Sequence, residues 1–378
     1  MLGDCYAISQ DLKDYVSSSP SKLHSICSYM AMFPPSVPSY FIERYTDEGD
    51  VVLDPFSGRG TTALEACIHS RIGIGNDKNP LAYVLTFAKV MTPSLGRIYS
   101  KIEELQSEYE NGKGDIDISS ESWEIRMLFS NYTLRQLLFL KENLDWETRS
   151  IDAFITAMTL GILHGDSKGY LSISMPNTFS MSPNYVRNYI KKHGLIKPKR
   201  DVFELLRKKV ERCYDKPSAR GKAYRSDARS LSKIRSESVR LLMTSPPYTR
   251  VIRYGAFNWI RLWFLGKNAK EVDKKLLCSQ SLRIYQEFMT GVLEETMRVL
   301  RSDGTAVFVI GDVRKRETEQ IDNLAEFVWE NCAKPLGFEL KEPIREDVIR
   351  DNEKVSKIWG ETKGRATKID RILVLSKN

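Results

Sequence analysis

The stretch DVVLDPFSGRGTTA, residues 50–63, decides how the chain is read. Its first five residues, DVVLD, read as a short buried strand, and residues 62–69 carry a helical pattern. Between them, Gly58 and Gly60 let backbone approach a ligand closely and aim helix N-terminal amides at an anionic group. A second strand is predicted at residues 72–75. Asp77 follows it, 17 residues after Gly60, where an acid can accept hydrogen bonds from ribose hydroxyls. Residues 58–63 also satisfy the G-x-G-x-x-G/A pattern of a dinucleotide site. From this stretch alone, an NAD enzyme is a fair competing reading.

A second motif, TSPPY at residues 244–248, separates the two readings. It follows the predicted strand VRLLM (residues 239–243) at its carboxyl end, where open α/β sheets bind ligands. Pro246 and Pro247 hold the backbone extended and remove two N–H donors. What remains is a rigid rim of carbonyl and hydroxyl acceptors beside one aromatic ring. Such a rim suits an exocyclic amino group, whose hydrogens meet two acceptors while the ring stacks on a base.

Working outward, further strands are predicted at residues 305–310, 338–341 and 371–375, with an amphipathic helix at 288–300. Strands alternating with helices imply a mostly parallel sheet. Between the two sheet halves, residues 95–224 are helical in tendency: YTLRQLLFLKENL, DAFITAMTLGIL and DVFELLRKKVERC all carry 3.6-period apolar positions. The chain is 378 residues long, which suits two domains or one elaborated one. Its 28% charged and 42% hydrophobic residues exclude a disordered chain. No apolar run approaches the ~18–20 residues of a membrane span, and the opening residues MLGDCYAISQDLKDY lack the apolar core of a signal peptide. A cytoplasmic location is expected. Six scattered cysteines and four histidines form no ligand pattern, so neither a disulfide framework nor a metal site is expected.

Charge is uneven. The chain carries +8, yet residues 187–225 alone hold fourteen Lys/Arg against four acids, leaving the remainder slightly acidic. A block of this kind reads either as a solvated helix face or as a surface facing a polyanion. Lys191, Lys192, Lys197, Lys199 and Arg200 are its candidate phosphate contacts. Just before it, residues 170–186 (YLSISMPNTFSMSPNYV) carry no formal charge and read as a loop. Its polar side chains, with Phe179 and Tyr185, suit base edges and stacking as well as an ordinary surface.

Together these motifs resemble the class I S-adenosylmethionine-dependent methyltransferases, and within them the amino-methylating DNA methyltransferases with an SPPY motif. The resemblance also takes in MFPP (residues 32–35), SDAR (226–229), IRYGAFNWIRLWFLG (252–266) and RVLRSDG (298–304). It implies an α/β, Rossmann-like fold with a seven-stranded, mostly parallel sheet. Residues 1–90 would form the first half with the cofactor loop, 91–225 a helical insertion that recognises DNA, and 226–378 the second half with the catalytic loop. The implied cofactor is S-adenosylmethionine, held by Phe33, Asp54, Pro55, Phe56, Ser57, Gly58, Gly60, Thr61 and Thr62. Asp77 would lie on the ribose, and Asp227 and Ala228 by the adenine. Ser245, Pro246, Pro247 and Tyr248 would be catalytic, acting on a base flipped out of double-stranded DNA.

SPPY is more typical of cytosine N4 in that family, with adenine N6 the nearest rival. An RNA amino-methyltransferase and a non-catalytic nucleic-acid-binding relative are the remaining alternatives. A companion restriction endonuclease is an expected partner. One departure is Arg59, where the family usually has a small residue; it is expected to point outward.

Overall fold

Val, Leu and Ile at successive positions build strands that are apolar on both faces, and the computed structural model places them centrally. It describes residues 7–8, 21–30, 34–175, 181–247, 253–276, 281–311, 313–314, 321–348, 357–359, 362–363 and 369–377. The main sheet contains β1 (Val51–Asp54), β2 (Ile72–Asn76), β3 (Lys222–Tyr224), β4 (Val239–Thr244) and β5 (Leu300–Gly311). It is completed by β6 (Phe338–Leu340), β7 (Arg345–Val348) and β8 (Ile369–Lys377). The order is β3-β2-β1-β4-β5-β8, with β6 and β7 both along the far edge of β8. Neighbours from β3 through β5 run parallel, whereas β8 is antiparallel to β5. A two-residue strand, Ala7–Ile8, adds to β7.

Among the described residues, the expectation of seven strands thus meets a sheet of nine segments. The strand predicted at residues 338–341 is followed by a break at Pro343, which cannot donate to a ladder, and β7 continues along the same edge of β8. Ala7–Ile8 extends that edge by one position. The third strand, β3, lies before residue 226, inside the span assigned from sequence to the insertion. It is only three residues long, too short to show a pattern of its own.

Alternation explains why both faces are covered. Val52, Leu241 and Val307 face one buried layer with Phe41, and their neighbours Leu53, Leu242 and Phe308 face the other with Leu293 and Val328. Three helices flank the first strands: α1 (Ser36–Tyr45), α2 (Thr61–Ile68) and α3 (Pro80–Val90). Asn79 fixes the start of α3, its side-chain oxygen accepting from the Leu81 amide at 3.1 Å while Pro80 occupies the first turn.

The predicted insertion contains α4 (Leu95–Glu108), α5 (Asn131–Asn143), α6 (Ser150–Ile162), α7 (Pro183–His193) and α8 (Val202–Cys213). It is not packed apart from the sheet half. Leu81, Leu85 and Ala88 of α3 share one buried cluster with Leu137, Phe154, Met158 and Leu206. Among the described residues, no helix is long and apolar enough to cross a membrane.

Candidate active site

The carboxyl ends of β1, β2 and β4 meet at a cavity of about 340 Å³. Its floor is the turn after β1. Gly58 and Gly60 both adopt left-handed backbone, at φ +50° and +79°. A Cβ on Gly60 would lie 2.8 Å from Thr86 Oγ1 and 2.9 Å from Thr86 Cα, so α3 leaves room for glycine only. The turn is tied to β2 by the Ser57 amide, which donates to the Asn76 carbonyl at 2.9 Å. The Gly58 amide donates to Asp77 Oδ2 at 3.0 Å, and the Asn79 amide to Oδ1 at 2.8 Å.

Burial pushes the Asp77 carboxyl up to about 6, with those amides acting in the opposite direction. Asp54, at the end of β1, is likewise pushed up by burial, to about 7. It accepts from the Thr244 hydroxyl at 2.6 Å and the Phe56 amide at 3.1 Å, both at Oδ1, and so joins β1 to β4. Asp227 is held below the usual carboxylate range by hydrogen bonds from Arg229, at 3.0 and 2.9 Å, and from Lys78 at 2.9 Å. Asn76 fixes that turn: its Oδ1 accepts from the Ser226 amide at 3.1 Å and from the Ser226 hydroxyl at 2.7 Å.

The sequence-predicted cofactor residues therefore divide. Pro55, Phe56, Gly58, Asp77, Asp227 and Ala228 line the cavity. Asp54, Ser57, Gly60, Thr61 and Thr62 do not line it but shape the turn from behind, buried against β4 and α3. Phe33 and Tyr248 lie outside the described residues. Ser245, Pro246 and Pro247 reach the cavity wall directly from β4.

Tyr29, Met30 and Phe288 are among the lining residues that the sequence did not mark. The Tyr29 ring lies against Gly58 and stacks on Tyr254 at 6.0 Å, while its hydroxyl accepts from Asn79 Nδ2 at 3.0 Å. Phe288 faces Phe56 at 5.8 Å, and Met30 completes the wall. The lining thus combines the aromatic rings of Tyr29, Phe56, Tyr254 and Phe288 with the carboxylates of Asp77, Asp227 and Glu287. That combination accommodates a flat heterocycle bearing a pair of hydroxyls, which fits an adenosine-containing cofactor.

Arg59 turns away from the cavity, yet it does not point freely outward. It is largely desolvated; Nη1 donates to the His24 carbonyl at 3.1 Å and Nε to Thr61 Oγ1 at 3.2 Å. Fully buried Lys89 holds the Arg59 carbonyl at 2.6 Å.

The basic block divides too. Lys191 and Lys192 are exposed on α7. Lys197 donates to the Arg126 carbonyl at 3.1 Å, and Lys199 lies 4.7 Å from the Tyr132 ring centre. Arg200 is turned inward. It donates to the carbonyls of Ser167 (3.1 Å), Ser172 (3.3 Å) and Tyr170, fastening the loop before α7. Among the described residues, no group of three His, Cys, Asp or Glu side chains could hold a metal ion.

The family model N6_N4_Mtase, described as DNA methylase, matches residues 9–87. That match takes in the glycine turn and Asp77 but does not extend to residues 244–248. The chain is 26% identical over 102 residues to the type II methyltransferase M.MjaII of Methanocaldococcus jannaschii, covering 26% of this chain and 19% of that one. Against M.BglI of Bacillus subtilis identity is 42% over 67 residues, covering 18% and 19%. M.BsoBI of Geobacillus stearothermophilus aligns over 291 residues at 22% identity, covering 69% of this chain and 56% of the relative. The chain thus spans less than two thirds of the length of each of these relatives.

Proposed function

We propose that this chain transfers a methyl group from S-adenosylmethionine to the exocyclic N4 amino group of cytosine in double-stranded DNA. The observation that carries the reading is the meeting of Ser245, Pro246 and Pro247 with Asp77 and Asp227 around one cavity. The match of residues 9–87 to DNA methylases supports it. In this reading Asp77 holds the ribose, Asp227 and Ala228 flank the adenine, and Phe56 and Phe288 supply apolar contact. When bound, the cofactor supplies an electrophilic methyl group.

The chain's own residues address the nucleophile. An exocyclic amino nitrogen has its lone pair delocalised into the ring. Ser245 Oγ and the Pro246 carbonyl accept its two hydrogens and favour a pyramidal nitrogen. Orientation then contributes most of the acceleration, because the reacting groups are held in a near-attack arrangement. Positive charge developing on the nitrogen is stabilised by the same acceptors, and the proton leaves afterwards. No strong general base is required. The base is presented outside the helix, stacked on Tyr248, since an amino group inside a duplex cannot reach the cavity. A restriction endonuclease acting at the same sites is the companion this reading implies.

Digesting product DNA to nucleosides and analysing them by mass spectrometry tests the assignment. N4-methylcytosine is expected. N6-methyladenine alone would replace the base while keeping the pocket, and no methylated nucleoside would overturn the reading.

A further inference from the structure

Helix α7 stands out from the other helices of the insertion. Of its eleven residues only Val186 is fully buried. Tyr189 and Ile190 rest partly on the same core. On a helical wheel the opposite face is centred on Asn184, Asn188 and Lys191, at i, i+4 and i+7, with Arg187 and Lys192 on its flanks; all five are exposed.

Two further observations point this face at a partner. No acidic residue occurs from 170 to 200, while residues 183–200 contain six Lys/Arg. A solvated helix face ordinarily mixes both signs. The start of the helix is also fastened to the catalytic half. Trp259 Nε1 donates to the Met181 carbonyl at 2.6 Å, and Tyr254, five residues earlier, lines the cavity. The outward face is therefore held at a fixed position relative to the reacting site.

We infer that α7 enters the DNA major groove and that Asn184, Asn188 and Arg187 set the recognition sequence. The inference rests on the reading that DNA is the substrate. An α-helix with its side chains is about 10–12 Å across, which fits a groove about 12 Å wide, and eleven residues extend roughly 16 Å along it. Asn pairs bidentately with adenine and Arg with guanine, so this face carries groups able to read base edges, and Lys191 and Lys192 add phosphate contacts.

The test begins by mapping the methylated motif with modification-detecting sequencing of DNA from a host expressing the unaltered chain. Asn184→Ala and Asn188→Ala are then mapped in the same way. Each should lose the requirement for a base pair, discrimination there falling about ten- to a hundredfold. Cofactor affinity and salt dependence should not change. Asn188→Arg should shift the preferred base rather than erase it, a gain that misfolding cannot mimic. An unchanged motif in the double alanine variant, or uniform weakening on every sequence, overturns the inference alone. Absence of any methylated motif with the unaltered chain removes the proposed function as well.

Discussion

The Gly58 amide and the Asp77 carboxylate are joined at 3.0 Å, so the turn after β1 and the end of β2 form one unit. Asp77 is also pushed up to about 6 by burial. If it accepts the ribose hydroxyls, it does so as the carboxylate. With a raised pKa the proton is present at and below about pH 6, so cofactor affinity should fall as pH drops through that value. Calorimetry between about pH 5 and 8 should show this decline. Asp77→Ala should cost about 1–3 kcal/mol at about pH 8 and flatten the profile. Unchanged affinity in that variant would exclude Asp77 from the site.

Gly60 makes a structural prediction. Its φ of +79° and the 2.9 Å approach to Thr86 Cα leave no strain-free place for a Cβ. Gly60→Ala should lose about 2–3 kcal/mol in urea denaturation, from left-handed strain and the clash against backbone. Gly96→Ala is the control. Nothing lies within 4 Å of its added Cβ inside α4, so the change should be neutral or slightly stabilising. Equal effects at both positions would show that the turn tolerates a side chain.

These two sites also show where sequence reading succeeds and stops. Strand, glycine turn and helix at residues 50–68 are local, each specified by neighbours, and all were legible. Asp77 was legible because its spacing from Gly60 is a property of one β-α-β unit. Tyr29 and Phe288 were not, since they reach the cavity from far along the chain and nothing local marks them. Side-chain direction was equally hidden. Arg59 and Arg200 read as exposed cations, but each finds backbone carbonyls that only the folded chain brings near. Edge strands were obscured for a different reason: three residues such as β3 carry too little pattern to separate from loop.

Asp54 predicts a pH dependence of stability. Its folded pKa, about 7, lies above the ordinary carboxylate value of 3.8. Between roughly pH 4 and 7 the folded state therefore holds a proton that the unfolded state releases, and stability from this group falls as pH rises through that window. Asp54→Asn keeps an oxygen for the Thr244 hydroxyl and the Phe56 amide but cannot ionise. Relative to the unaltered chain, the variant should gain up to about 3 kcal/mol on going from about pH 5 to about pH 8. Denaturation curves at both pH values decide it, and parallel behaviour of the two proteins would contradict the argument.

Lys191 and Lys192 test the proposed phosphate contacts apart from base reading. Replacing both with Gln should weaken binding to every duplex alike. The plot of log affinity against log salt should flatten by about one unit for each phosphate that is no longer neutralised. An unchanged slope would place these side chains on a merely solvated face. Arg200→Ala should instead register mainly as reduced stability, because its guanidinium fastens carbonyls of the loop before α7.

In the proposed reaction Ser245 is the hydroxyl acceptor for the amino group. It follows β4 immediately, and the Thr244 hydroxyl preceding it is fixed on Asp54 at 2.6 Å, so the backbone presenting Ser245 is held by the same strand pair that carries the glycine turn. Ser245→Ala removes a hydroxyl acceptor without altering the two prolines that set the rim. Its interaction with an amino hydrogen strengthens as charge builds on nitrogen, so the loss should appear in kcat far more than in cofactor affinity. A decrease of about ten- to a hundredfold in single-turnover rate corresponds to about 1.4–2.8 kcal/mol, the range for a hydrogen bond to a developing charge. Cofactor binding by calorimetry should stay within about twofold, because that ligand's hydroxyls are assigned to Asp77. Loss of both together would indicate collapse of the rim, and Ser245→Thr, which restores the hydroxyl, distinguishes the cases by recovering rate only if the oxygen itself matters.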